Sequence, residues 1–130
     1  MLFIENANCT YTGSGSTNWN SDAAPGAIIV DSGTLTFSAN LNFYGVIYMV
    51  NAQGTVPTSG TTCTSAQQST VFTVSGGGSL HGGLFVGGCG TVDAGDKAFD
   101  IQYDVKAFGG ISTWATPSLA ENTFRVLGNS

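Results

Sequence analysis

Apolar residues along the first 96 positions recur in short runs or in strict alternation, and Gly, Asn or Ser interrupts them every few positions. That is the period of a strand and not of a helix. Leu2-Phe3-Ile4, Ala27-Ile28-Ile29-Val30, Val46-Ile47-Tyr48-Met49-Val50 and Gly83-Leu84-Phe85-Val86 each lead into Glu, Asp, Asn or Gly, and they read as copies of one element. Thr34-Leu35-Thr36-Phe37-Ser38 matches Val71-Phe72-Thr73-Val74-Ser75 at a shift of 37, with Leu35 and Phe37 facing as Phe72 and Val74 do. The same shift sets Phe43 on Leu80, Tyr44 on His81, Gly45 on Gly82 and Ile47 on Leu84. A shift of 26 lays Cys9-Thr10-Tyr11-Thr12 on Leu35-Thr36-Phe37-Ser38. The register between the runs at Val46 and Gly83 stays open by one residue.

Each unit therefore runs from an apolar strand through an acidic or amide corner, an alternating strand and a Gly/Asn turn to a third short strand. About 20 residues cannot enclose a core alone, so successive units must stack inward row on inward row. The pattern predicts an all-β fold: a short, parallel β-helix-like β-solenoid of about four coils with a C-terminal capping segment, forming one domain over residues 1–130. The coils occupy 1–96, with a Thr/Ser/Gln/Gly insertion at 51–70 that lacks periodicity and belongs to a loop on one face. From Lys97 onward Phe99, Ile101 and Tyr103 alternate as one more strand. A short helical turn over Asp104 to Phe108, ended by Gly109-Gly110, follows. The remainder to residue 130 reads as a cap or returning strand.

Composition narrows the partners. Hydrophobic residues make up 42% of the chain and charged ones only 8%, so Ser, Thr, Asn, Gln and Gly must cover the surface, as in β-rich secreted proteins. Eight carboxylates face only Lys97, Lys106 and Arg125, for a net charge of −5. Three scattered cations do not form a track for phosphates, which argues against nucleic acid. No apolar run is long enough to span a bilayer.

Candidate chemistry is sparse. None of the three cysteines has the CxxC spacing of a zinc or redox site. Cys63 lies in the insertion that leaves after Val50, and Cys89 follows the equivalent strand one coil later, so the two reach the same corner. A Cys63–Cys89 disulfide is the favoured pairing, worth about 2–4 kcal/mol. Cys9, aligned with inward Leu35, is either a buried free thiol or an alternative partner of one of them. His81 is the sole histidine, and its alignment with Tyr44 points to a polar aromatic stacking at a corner and not to a Ser–His–Asp triad. Asp93, Asp96, Asp100 and Asp104 lack the spacing of a calcium loop and read as a solvated edge, and the glycine clusters at 76–78 and 87–90 lack the Lys-Ser/Thr of a phosphate loop. No metal site, cofactor or catalytic residue is expected. Trp19, in the polar stretch Ser16-Thr17-Asn18-Trp19-Asn20-Ser21-Asp22, together with Tyr11 and Trp114, is the candidate set for stacking on a sugar ring.

The runs Leu2-Phe3-Ile4-Glu5, Pro25-Gly26-Ala27-Ile28-Ile29-Val30-Asp31-Ser32-Gly33-Thr34-Leu35-Thr36-Phe37-Ser38-Ala39-Asn40, Asn42-Phe43-Tyr44-Gly45-Val46-Ile47-Tyr48 and Leu80-His81-Gly82-Gly83-Leu84-Phe85-Val86 are similar to a known family. They resemble the C-terminal β-solenoid domain of bacterial type IV pilus-associated proteins of the PilX-like, minor pilin-like class, as does the ending Phe99-Asp100-Ile101-Gln102-Tyr103-Asp104-Val105-Lys106-Ala107-Phe108. The resemblance spans most of residues 2–108 and implies an exposed extracellular domain carried by an anchor helix outside these residues, with other pilus or surface subunits as partners. The function expected is structural or adhesive and not enzymatic. Two alternatives stand beside it: a module binding glycan or extracellular DNA at a pilus tip, and a cytoplasmic, polymer-forming solenoid of the bactofilin type, which apolar open ends would favour and the cysteines disfavour.

Overall fold

A computed structural model describes residues 1–12, 16–57, 62–95 and 98–112. Ten strands and one helix follow in order: β1 Leu2–Ile4, β2 Ala7–Tyr11, β3 Ser16–Asn18, β4 Gly26–Val30, β5 Gly33–Phe37, β6 Asn40–Met49, β7 Ser69–Val74, β8 Gly78–Val86, β9 Gly90–Asp93, β10 Phe99–Gln102 and α1 Val105–Ser112. The fold is mostly β, and every pairing between these strands is parallel. The chain passes back and forth between a six-stranded sheet ordered β1-β4-β6-β8-β10, with β3 also on β6, and a four-stranded sheet ordered β2-β5-β7-β9.

The registers are those of the sequence shifts. Cys9 pairs with Leu35 and Tyr11 with Phe37, and Leu35 in turn pairs with Phe72. Tyr44 pairs with His81 and Ile47 with Leu84, which fixes Val46 opposite Gly83. Because parallel strands in register present like positions to one side, inward residues form continuous rows: Leu2, Ile28, Ile47 and Leu84 make one, and Cys9, Leu35, Phe72 and Val92 another. Phe37, Leu41, Ile47, Phe72, Val74 and Leu80 are fully buried where these rows meet between the sheets. An aromatic file crosses the core, with ring centroids 6.1 Å apart for Tyr11–Phe37, 6.0 Å for Phe37–Phe72 and 6.4 Å for Phe72–Phe99.

Two devices hold the long strand β6 to two different neighbours. Residues 40–42 pair with β3 and residues 45–49 with β4, leaving Tyr44 between them. The Asn20 side chain fills that gap like a piece of strand: its Nδ2 donates to Tyr44 O at 2.6 Å and its Oδ1 accepts from Tyr44 N–H at 2.8 Å. Gly45 and Gly82, stacked in register, have φ of +136° and +144°, and a Cβ on either would collide with the carbonyl oxygen of the glycine one strand away, Gly26 or Gly45.

Several expectations need correction or completion. The helix does not end at Gly109-Gly110 but runs on to Ser112, and Asp104 starts it by accepting from Lys106 N–H at 2.8 Å and Ala107 N–H at 3.4 Å. It packs on the outer face of the six-stranded sheet, against β4, β6 and β8, with Phe108 over Gly83. The rest of the expected cap, residues 113–130, lies outside the described residues. His81 sits mid-strand in β8 and not at a corner. Strand β3 supplies the third short strand of the first unit, and β9 follows the run that ends at Val86.

Candidate functional site

The insertion after β6 is fastened to the turn between β8 and β9. Cys63 and Cys89 form a disulfide, with Cα atoms 5.6 Å apart and 26 positions between them. Around the bridge, Cys89 N–H donates to Thr55 O at 2.8 Å and Asn51 Nδ2 donates to Gly87 O at 3.3 Å. Asn51 takes a φ of +54° and Gly88, 37 positions later, +57°, so the amide and the glycine make the same left-handed corner. Cys9 is a free, half-buried thiol, in the inward row with Leu35.

Of the three aromatic candidates for a sugar contact, two come together. Tyr11 and Trp19 meet edge to face with centroids 5.0 Å apart, and Trp19 also lies 5.3 Å from Phe37. Both are partly buried against the core. Trp19 thus has a packing duty that its polar sequence context hides. Its Nε1–H is buried without a hydrogen-bond partner among the described residues, and the side chain forms part of the wall of a shallow cavity of about 310 Å³ shared with Asn20, Pro25 and Phe43. Trp114 lies outside the described residues.

The outer face of the six-stranded sheet gathers most of the remaining chemistry. In one register row stand Asn18, Asn42, Ser79 and Asp100, and in the next Tyr44, His81 and Gln102. The Tyr44 and His81 rings stack at 4.5 Å and 9°, which is the contact their alignment foretold. Ser79 Oγ donates to Asn42 Oδ1 at 3.2 Å and lies 2.9 Å from His81 Nε2. Asp100 accepts from Gln102 Nε2 at 2.6 Å.

Farther along the same face the row Phe3, Ile29, Tyr48 and Phe85 is apolar, and its members Ile29, Tyr48 and Phe85, with Met1, Ala27, Val46 and Phe108, border an open groove of about 490 Å³. Sequence reading missed this platform, because register alone brings Asn18, Asn42, Ser79 and Asp100 side by side. The signal was available in the shifts that aligned Tyr44 with His81.

The acidic residues work locally. Asp93 accepts from Gly95 N–H at 2.9 Å, and Asp104 caps α1. Asp96 lies outside the described residues, as do Lys97 and Arg125. Among the described residues no group of three His, Cys, Asp or Glu could hold a metal ion, and no helix is long and apolar enough to cross a membrane. No family model matches the chain, and neither a curated protein nor a solved structure resembles it significantly.

Proposed function

We propose that the chain is a β-solenoid of four stacked layers that serves as an exposed structural or adhesive domain of a bacterial surface assembly, akin to the PilX-like pilus-associated proteins, and catalyses no reaction. The observation that carries this reading is the Cys63–Cys89 bridge, which ties a polar surface loop to a rigid parallel ladder. Such a bond persists in oxidising surroundings outside the cell. It also argues against the cytoplasmic bactofilin-type polymer. The scarcity of charge supports the same home, since amides and hydroxyls cover the sheet faces.

In this reading the first layer is β1, β2 and β3. The second is β4, β5 and residues 40–44. Residues 45–49, β7 and residues 78–82 make the third, and residues 83–86, β9 and β10 the fourth. The layers give a stiff spacer and the insertion a surface for other pilus or surface subunits. Antibodies raised against the folded domain should label intact, unpermeabilised cells of the source organism. Labelling only after permeabilisation would defeat the surface reading, and hydrolase activity abolished by His81→Ala would defeat the non-catalytic one.

Glycan binding is a second reading, favoured by the rows Asn18, Asn42, Ser79, Asp100 and Tyr44, His81, Gln102, which align amides, a hydroxyl and a carboxylate on one face. A glycan array that stays blank for the wild-type domain removes it.

A further inference from the structure

Three of the inward rows end, on one side, in an exposed apolar side chain. Leu2 continues the row of Ile28 and Ile47, yet it is 44% exposed where they are 2% and 0%. At the other end Val92 continues the row of Leu35 and Phe72 and is 42% exposed, and Ile101 continues that of Phe43 and Leu80 and is 47% exposed. Backbone pairing stops at the same places. Among the described residues, the outer edges of β1 and β2 have no strand partner, and neither do those of β9, β10 and residues 83–86 of β8.

Exposed edges are normally guarded by Lys, Pro or an inward charge. Neither Leu-Phe-Ile of β1 nor Ala-Asn-Cys-Thr-Tyr of β2 contains one. The carboxylates at the other end, Asp93 and Asp100, pair in register with Thr73 and Ser79, which stand at outward positions of their strands, so they flank the stacking surface and do not block it.

The two ends match. Continuing the parallel registers, Leu2-Phe3-Ile4 of a second copy extends the rows of Leu84, Phe85 and Val86, Cys9 extends that of Val92, and β3 adds to β10. Among the described residues, three strands meet three unpaired edges in the same direction. We propose that the chain stacks on a second copy of itself head to tail, the layer β1, β2 and β3 of one copy docking on residues 83–86, β9 and β10 of the next. The inference rests on the four-layer reading above. Such an interface is heterologous and does not close on itself, so it builds open filaments and not a symmetric dimer.

Sedimentation velocity on the full chain, without reductant and from about 5 to about 500 μM to bracket weak self-association, tests this. The weight-average mass should climb with concentration to at least about twice the 13.3 kDa of one chain. Leu2→Lys closes one end and Ile101→Lys the other; both sites are exposed, so the variants should keep a β-type circular dichroism spectrum and a cooperative melt. Each alone should be monomeric, and an equal mixture should give a dimer and nothing larger, because one competent end of each kind remains. A wild-type chain that stays monomeric throughout overturns the proposal, as do single variants that assemble like the wild type, which would move the contact to the outer face at Tyr48 and Phe85. Amide exchange separates this failure from that of the fold. A monomer with protected amides in β4, β6 and β8 sinks only the stacking, whereas unprotected amides there sink the layered reading itself.

Discussion

Removing the Cys63–Cys89 bridge should lower the stability of the domain chiefly by freeing the denatured chain. The cross-link closes a span of 26 positions, and loop-closure entropy for that length corresponds to about 3.5 kcal/mol at 25 °C. The folded state keeps its own ties without the bond, through Cys89 N–H to Thr55 O at 2.8 Å and Asn51 Nδ2 to Gly87 O at 3.3 Å, so the insertion should stay docked. Replacing the buried Cys89 with alanine adds a packing loss of about 1 kcal/mol. For a domain of this size the sum, about 4.5 kcal/mol, lowers the melting temperature of the Cys63→Ala/Cys89→Ala variant by about 16 °C. Urea titration and stopped-flow refolding give the decisive readout. If the bond acts on the denatured chain, the variant refolds more slowly, its unfolding rate hardly changes, and its m-value rises as the denatured state expands. An unchanged melting temperature, or a loss carried wholly by faster unfolding, would refute the reasoning.

Other substitutions probe the ladder. Phe72→Ala, in the middle of its row and fully buried, should cost about 3–5 kcal/mol in urea unfolding, whereas Leu2→Ala, at the end of a row, should cost under about 1 kcal/mol in the monomer; equal costs would mean the rows do not stack as described. Gly82→Ala forces a Cβ toward the Gly45 carbonyl at a φ of +144° and should destabilise by at least about 2 kcal/mol, with a melting curve unaffected by the change ruling out the close approach. His81→Ala removes the stack on Tyr44 and should cost about 0.5–1.5 kcal/mol, measured against a Tyr44→Ala/His81→Ala double-mutant cycle in which full additivity would deny the contact.

How much could be read from the sequence depended on whether a residue's role is fixed by the repeat or by one particular neighbour. Strand type, the shifts of 26 and 37, the inward place of Cys9 and the stacking of His81 on Tyr44 all follow from periodicity, which is a property of the chain. The disulfide was legible for the same reason, since Cys63 and Cys89 leave equivalent corners. Trp19 was harder, because its setting of Ser, Asn and Asp says loop while its ring packs on Tyr11 and Phe37 across the core. The use of Asn20 as a stand-in strand was hidden too, since one amide satisfying both backbone groups of Tyr44 leaves no periodic trace. The continuation of α1 through Gly109-Gly110 ran against propensity. Packing of Ala107 and Phe108 on the sheet supplies what the glycines do not.

The same ladder explains why so few charges suffice. In a helical domain exposed Lys and Glu hold the surface in water and support the backbone through neighbouring pairs. Here the parallel registers leave outward positions as rows of like side chains one strand apart, where like charges would repel at every rung. Amides and hydroxyls can bond along such rows instead: Asn8 Oδ1 accepts from Thr34 N–H and Oγ1–H at 3.0 Å each, Asn40 Oδ1 from Gly77 N–H at 2.8 Å, and Thr70 and Thr91 share a 3.3 Å contact. The repeat that builds the core therefore also selects the neutral polar surface, and a Lys introduced at both Thr70 and Thr91 should destabilise the domain by more than the two single changes together.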